Sequence, residues 1–356
     1  MYADNLGTRR DRQGGRAIAS ELIGNDTDVV LLGRDHDRLA TVAASLGGQN
    51  RTILSPGPAE LVALIAAEKP TVVVNTIGPF GETSAPLARA CLAAGSHYVD
   101  LANELPPVQA LLNMDADARS EGVTLVTGAG FGVLATEALV IELVSGRPAA
   151  ARATVAAMPA VDGLGSAVLS SVIDAVAYGG RRYRDGHLLR TRLGAEHAWI
   201  PLPDLPAIQA LAVPTGELEA AHRASGADDV VAFSSEVPSG RTVRAVLPML
   251  SVLLAARPIR AGAQRLVNRA RLTPPAKPGD ISWSYARLEW PDGTHREAWL
   301  RTGEGYGFTA RVAAHTATRI SAGQGLPGAF TPGALFGADL ARDAGAQIIT
   351  PGTVTS

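Results

Sequence analysis

The first third of the chain alternates short apolar runs with stretches of helical period. Asp28–Gly33 (DVVLLG) is a β-branched run closed by glycine, and Asp37–Leu46 places Leu39, Val42, Ala43 and Leu46 on one helical stripe. Glu60–Ala67 is amphipathic and broken by Pro70. The run Thr71–Thr76 (TVVVNT) that follows is apolar throughout, as a strand covered on both faces should be. A helix is then predicted with Ser84 as its cap, Pro86 in its first turn, Leu87, Ala90, Cys91 and Ala94 as its stripe and Gly95 as its stop. His97–Leu101 and Val123–Thr127 read as two further strands, separated by a helical segment near Pro107–Glu121. Strands alternating with helices predict an α/β fold with a doubly wound parallel sheet.

After Gly128 the rhythm changes. Gly132–Ser145 and Gly165–Tyr178 read as helices around an extended Ala153–Ala157, and Val243–Asn268 as one or two helices. Arg181–Pro206 shows no clear period and reads as loop or edge structure, and Pro274–Gly279 as a rigid linker. Ile281–Trp290 and Thr294–Leu300 predict a hairpin across Pro291-Asp292-Gly293, followed by a final long helix over Tyr306–Ala322. This half is expected to be α+β. On the hairpin Trp283 and Tyr285 share a face and Trp290 takes the other, which predicts sheet packing with Trp299; the same aromatic face is a candidate floor for an apolar pocket or a homodimer interface.

Composition narrows the chemistry. The 356 residues carry 32 basic and 34 acidic side chains, a net charge of −2, which gives no electrostatic case for a nucleic-acid or anionic-membrane binder. A small-molecule partner is expected. A single cysteine, Cys91, excludes an intramolecular disulfide and any Cys-based zinc site, and suits the cytoplasm. Met1–Asn25 is polar and Gly-rich, which predicts no secretory leader, and no apolar run is long enough to predict a membrane span. The only lysines, Lys69 and Lys277, each precede proline, so Schiff-base and Tyr-x-x-x-Lys chemistry have almost nowhere to sit. No metal site is expected: the histidines are scattered, and Asp35-His36-Asp37 reads as a solvated helix entry.

Ligands of doubly wound sheets bind beyond the carboxyl ends of the strands. Gly33-Arg34 follows the second expected strand, where an arginine can meet a 2′-phosphate, so NADP is expected over NAD if a dinucleotide binds. Ile77-Gly78-Pro79-Phe80-Gly81 follows TVVVN as a stiff turn open to a flat ring or a phosphate.

The run Asn75–Gly81, followed by Ala90–Leu101 and Glu104, resembles the saccharopine dehydrogenase-like oxidoreductases. Gly33-Arg34, Gly128-Ala129-Gly130-Phe131, Glu304-Gly305-Tyr306 with Thr309-Ala310, and Thr331-Pro332 with Gly337 extend the resemblance over nearly the whole chain, and it is strongest to the branch of trans-acting enoyl reductases. The resemblance implies a Rossmann-like NADP-binding domain over 1–130, an α+β substrate or dimerisation domain over 131–303, and a C-terminal helix and tail over 304–356 that packs back near the first domain. The contacts it implies for the cofactor are Gly14, Gly15, Gly33, Arg34, Asn75, Gly78 and Pro79, with Gly130 and Phe131 near the nicotinamide. Candidate proton donors are Tyr98, Asp100 and Glu104, at or just after a strand end, and Tyr178, at the end of a second-domain helix.

The N-terminus departs from the family. A Gly-x-x-Gly-x-x-Gly turn would place glycines at 9 and 12 or at 8 and 11, where this chain has Arg9, Arg12, Thr8 and Asp11, and no stretch before Gly15 reads as a first strand. Arginine obstructs close backbone approach and resists positive φ, although its charge attracts phosphate. Two readings stand. One is an NADPH-dependent reductase of a small or lipid- or polyketide-like substrate with an altered start. The other has lost the NADP site and is a redox-silent isomerase, cyclase or binding protein.

Overall fold

The computed structural model describes residues 11–25, 27–47, 51–54, 57–160, 166–269 and 281–351. The first part of the chain runs α1 (Asp11–Gly24), β1 (Leu31–Gly33), α2 (His36–Ser45), β2 (Thr52–Leu54), α3 (Pro58–Glu68), β3 (Val72–Asn75), α4 (Phe80–Ala94), β4 (His97–Asp100), α5 (Leu105–Leu112), α6 (Asp115–Ser120) and β5 (Thr124–Val126). The strands β3, β4 and β5 pair in parallel, and Val72, Val73 and Val74 are buried as an apolar run covered on both faces should be. The strands β1 and β2 form a separate parallel pair. Between β1 and β3 lies a narrow apolar slot lined by Leu32, Leu61, Ile65, Val73 and Ile77, and among the described residues no strand bridges it. The expected absence of a first strand, and positions 8 and 9 of the expected glycine turn, fall on residues 1–10, outside the described residues, whereas its positions 11 and 12, held by Asp11 and Arg12, lie within α1. Gly14 and Gly15 are described and lie within α1.

The helix α4 starts earlier than expected. Its first residue is Phe80, after a cis Gly78–Pro79 bond, so Ser84 is not its cap and Pro86 lies in its interior. Proline there removes one backbone bond. The burial of Thr83, Ser84, Leu87 and Cys91 on either side of it holds the helix together, and Gly95 ends it in the left-handed conformation.

The second part runs α7 (Phe131–Val144), β6 (Arg152–Met158), α8 (Ser166–Tyr178), β7 (Gly180–Arg184), β8 (His187–Thr191), β9 (His197–Leu202), β10 (Leu205–Ala212), α9 (Gly216–Ser225), β11 (Asp229–Ser234), α10 (Arg241–Ala255), α11 (Arg257–Arg269), β12 (Ser282–Glu289) and β13 (His295–Thr302). Of the two structures expected for Arg181–Pro206, loop or edge, it is mostly strand, with β8 and β9 at sheet edges. It forms the hairpin β7–β8 and the first part of β9–β10, half-exposed strands whose arginines mask the alternation. A signal was present: Asp185-Gly186 takes positive φ at both residues, the two-residue turn that matches strand twist. The Pro274–Gly279 linker lies outside the described residues.

The chain ends with α12 (Gly305–Arg319) and its continuing turn Ile320–Gln324, β14 (Gly328–Phe330), α13 (Pro332–Phe336), α14 (Asp339–Asp343) and β15 (Gln347–Ile349). The expected final helix is thus not the last element. The strand β14 pairs in parallel with β5, giving the first sheet the order β14-β5-β4-β3, while β15 joins a mixed sheet ordered β15-β13-β12-β6-β11-β10-β9. The helix α12 packs on α1. The architecture is a Rossmann-like doubly wound parallel sheet with an α+β second unit.

Two cores flank the mixed sheet. On one face Trp283, Tyr285 and Trp299 pack with Met158, Ile200 and Phe233, while Trp290 lies on the other, stacked under Arg147 at 4.5 Å. The second core centres on α7, apolar nearly all round its circumference and correspondingly buried. Among the described residues no single helix is long and apolar enough to cross a membrane, and no group of three metal-ligating side chains is gathered to hold an ion.

Candidate active site

A cavity of about 150 Å³ opens beyond the carboxyl ends of β4 and β5, where three helices begin. Its walls are the loop Leu101–Asn103, the segment around the start of α7 (Gly128 and Gly130–Val133), Glu217 of α9, Glu236 beyond β11, and Glu304–Tyr306 with Thr309 of α12. The convergence has local causes. Gly128 takes φ +77°, and a Cβ there would lie 2.9 Å from Val133, so the chain can turn into α7 at this distance only with glycine. Phe131 N donates to Thr309 Oγ1 at 3.0 Å, joining the starts of α7 and α12. Gly216 N donates to Asn103 O at 2.7 Å, which fastens the start of α9 to the loop after β4 and brings Glu217 to the wall.

The cavity is acidic. Glu217 is buried, and that burial raises its carboxyl above the usual range against hydrogen bonds from Thr215, its own backbone and Asn103. Its Oε2 and the Oδ1 of Asn103 are buried without a hydrogen-bond partner. Glu236 is pushed up to about 7, first by burial and then by the charge of Glu217, against a hydrogen bond from Ser234. Glu304 instead caps α12, accepting from Gly307 N at 2.9 Å. Two buried carboxyls, one of them Glu236 held up also by the charge of Glu217, suit holding and releasing one proton near neutral pH. Neither was among the sequence candidates. The signal for Glu236 was its place: Asp229–Ser234 (DVVAFS) is a β-branched run, and Glu236 follows its carboxyl end.

None of the four expected proton donors is among the cavity-lining residues. Tyr98 is fully buried, its hydroxyl accepting from Asn75 Nδ2 at 2.9 Å and donating to Asp100 Oδ2 at 3.1 Å. Asp100 Oδ1 accepts from Thr127 Oγ1 at 2.8 Å, Ala102 N at 3.1 Å and Gly128 N at 3.3 Å, tying β4 to the turn into α7. These two therefore position the cavity wall from behind; burial raises the acid of both. Glu104 precedes α5 and accepts from Asn103 N at 3.2 Å. Tyr178, at the end of α8, stacks against Arg181 at 4.1 Å.

The expected cofactor residues lie along the carboxyl ends of the strands. Gly130 and Phe131 line the cavity itself. Asn75 closes β3 with every side-chain group engaged: Oδ1 accepts from Ile77 N at 2.9 Å, and Nδ2 donates to Tyr98 and Thr83. Its side chain shapes the Ile77–Phe80 turn from inside. Gly78 and Gly14 face open space, where a Cβ would meet nothing within 4 Å, while Gly15 is buried in α1. Gly33 ends β1, and Arg34 follows it, exposed. Arg34, Gly78, Pro79 and Gly130 each follow the carboxyl end of a parallel strand, the side on which ligands of such sheets bind.

Residues 14–126 match the saccharopine dehydrogenase NADP binding domain. A Mycobacterium tuberculosis protein carrying a trans-acting enoyl reductase name is 27% identical over 200 residues, 51% of this chain and 47% of that protein. A trans-acting enoyl reductase of Mycobacterium bovis is 28% identical over 124 residues, 34% of this chain and 30% of that protein. These matches span about half or less of the relatives' length. The apo saccharopine dehydrogenase (L-Glu forming) of Saccharomyces cerevisiae superposes over 99% of this chain and 100% of its own, with a TM-score of 0.62 at 15% identity, a likeness of fold.

Proposed function

We propose that this chain, whose residues 14–126 match the saccharopine dehydrogenase NADP binding domain, is an NADPH-dependent reductase of a small or lipid- or polyketide-like substrate. The observation that carries the reading is the acidic cavity beyond the carboxyl ends of β4 and β5, walled by Gly130, Phe131, Glu217 and Glu236. Arg34 and the Gly78-Pro79 turn would hold the adenosine side and Gly130 with Phe131 the nicotinamide, which when bound supplies a hydride. The protein's own part is the proton. Glu236 in its acid form donates to the substrate atom that gains electron density, and Glu217 beside it keeps that proton in place at neutral pH. The cavity admits only the reacting part of a large substrate; the small residues Ala102, Gly128 and Gly132 leave that room. The family match does not favour the redox-silent alternative.

The test is titration of the purified protein with NADPH and NADH, followed by thermal shift and calorimetry. NADPH is expected to stabilise it, by several kcal/mol at about a thousand times the dissociation constant; no binding at millimolar NADPH would remove the proposal. The Arg34→Ala variant is expected to bind NADPH roughly 10- to 100-fold more weakly, the loss of charge-assisted bonds to a 2′-phosphate, with NADH affinity held within about threefold.

Gly132→Ala probes the cavity with one methyl group. Its Cβ would sit 2.3 Å from Glu217 Oε1, so the carboxylate must move. Turnover is expected to fall about 100-fold, the scale for misplacing a reacting group by an ångström. Circular dichroism should report an intact fold, because alanine is the better helix former.

A further inference from the structure

The helices α10 and α11 lie on α8 and are bent by 109° to one another, and they carry most of the large apolar side chains exposed among the described residues. On α10, Val243, Val246, Met249, Leu250 and Leu253 recur at helical spacing along one side, with Val252 adjoining, and on α11 Ile259 and Leu266 lie two turns apart. Met249 is 62% exposed, Val252 74% and Leu266 71%. Their inner sides are satisfied: Leu247 and Leu254 are buried beside α8, and Gln264 donates to both oxygens of Asp174 at 3.0 Å. Nothing among the described residues covers the outer faces.

Charge on these helices has one sign. From Val237 to Gly279 there is no Asp or Glu, whereas Arg241, Arg244, Arg257, Arg260, Arg265, Arg269, Arg271 and Lys277 fall within the same stretch. Arg241, Arg257 and Arg265 are exposed on these same two helices. The near-neutral charge of the whole chain hides this segregation, so the exclusion drawn from net charge does not reach the local surface. An interfacial helix combines these two features, an apolar face and arginines elsewhere on its exposed surface. A second copy of the chain fits poorly, since a twofold interface repeats the same patch on both sides and would set arginines against arginines.

We infer that α10 and α11 form a docking surface for an anionic lipid membrane, lying in its interface without crossing it. The arginines meet the lipid phosphates and the stripe of Val246, Met249, Val252 and Leu266 enters the boundary of the acyl chains. The inference stands on the helix surface alone and does not depend on the proposed reduction.

The test is co-sedimentation of the full chain with vesicles of phosphatidylcholine alone and of phosphatidylcholine with an equal part of phosphatidylglycerol, at low and high salt. The protein is expected to bind the anionic vesicles at least about tenfold more tightly, with the difference shrinking in high salt. Two surface variants, Met249→Glu with Val252→Glu and Arg257→Glu with Arg265→Glu, are each expected to lose at least about tenfold in vesicle affinity. Circular dichroism unchanged from the parent protein checks that both remain folded. Equal binding to the two vesicle types, no binding to either, or full retention by both variants would overturn the inference. So would a concentration-dependent dimer in light scattering that Met249→Glu with Val252→Glu abolishes, because the face would then belong to a second copy.

Discussion

Glu236→Gln is expected to lower kcat by 10²- to 10⁴-fold while leaving NADPH affinity within about twofold, the range that a positioned general acid contributes. The amide keeps the shape of the side chain and its contact with Ser234, so what is removed is the proton. The sign of the pH dependence follows from the group's role. A donor must be in its acid form, and Glu236 is raised to about 7, so in the parent enzyme turnover is high below pH 7 and falls as pH rises through it. The variant loses that descending limb. Glu217→Gln separates the two carboxyls: with its negative charge gone the acid of Glu236 weakens its hold on the proton, and the descending limb moves to lower pH. A pH profile in Glu217→Gln unchanged from the parent would show that the two groups do not share a proton. A Glu236→Gln variant with ordinary turnover would return the search for the donor to the other groups around the cavity.

The strength of sequence reasoning varied with burial. Val72–Asn75 and His97–Asp100 stood out because strands covered on both faces must be apolar throughout, and Gly95 announced the end of α4 because it must adopt positive φ. The strands β7 and β8 were hidden because they are half exposed and carry Arg181, Arg182, Arg184 and Arg190, so neither face keeps a clean alternation. The site was hidden for a different reason. Strand ends in the first sheet pointed to Tyr98, Asp100 and Asn75; Tyr98 and Asp100 back the wall from its buried side, and Asn75 holds the turn after β3. The carboxyls that face the cavity come from α9 and from beyond β11, over a hundred residues later in the chain. They are brought there by contacts such as Gly216 N to Asn103 O and the bridge between Glu104 and Thr215, backbone pairings that leave no side-chain pattern to read.

The C-terminal segment offers the largest effect on stability, through a carboxyl remote from the cavity. Glu137 lies in the middle of α7, fully enclosed, and accepts from Gly333 N at 2.8 Å, Ala334 N at 3.0 Å and the Thr331 hydroxyl, so it serves the opening turn of α13 as that helix's missing cap. Burial pushes its acid up to about 7 against those three hydrogen bonds. Glu137→Ala leaves the Gly333 and Ala334 amides and the buried Thr331 hydroxyl without their acceptor and opens a void, which is expected to cost about 3–5 kcal/mol in chemical denaturation, as breaking a buried polar pairing does. Glu137→Gln fills the space but turns one acceptor into a donor facing another donor, so it costs less, about 1–3 kcal/mol. Its cost should depend on pH in a fixed direction. Because the folded acid holds its proton up to about 7 and a carboxyl in the unfolded chain only to about 4.3, the parent protein binds more protons when folded between those values and loses stability as pH rises across them. The neutral amide has no such slope. The gap between parent and Glu137→Gln should therefore be widest near pH 4.5 and narrow toward pH 7. A gap that widens with pH instead would mean that the three donors outweigh burial and hold Glu137 as a carboxylate throughout.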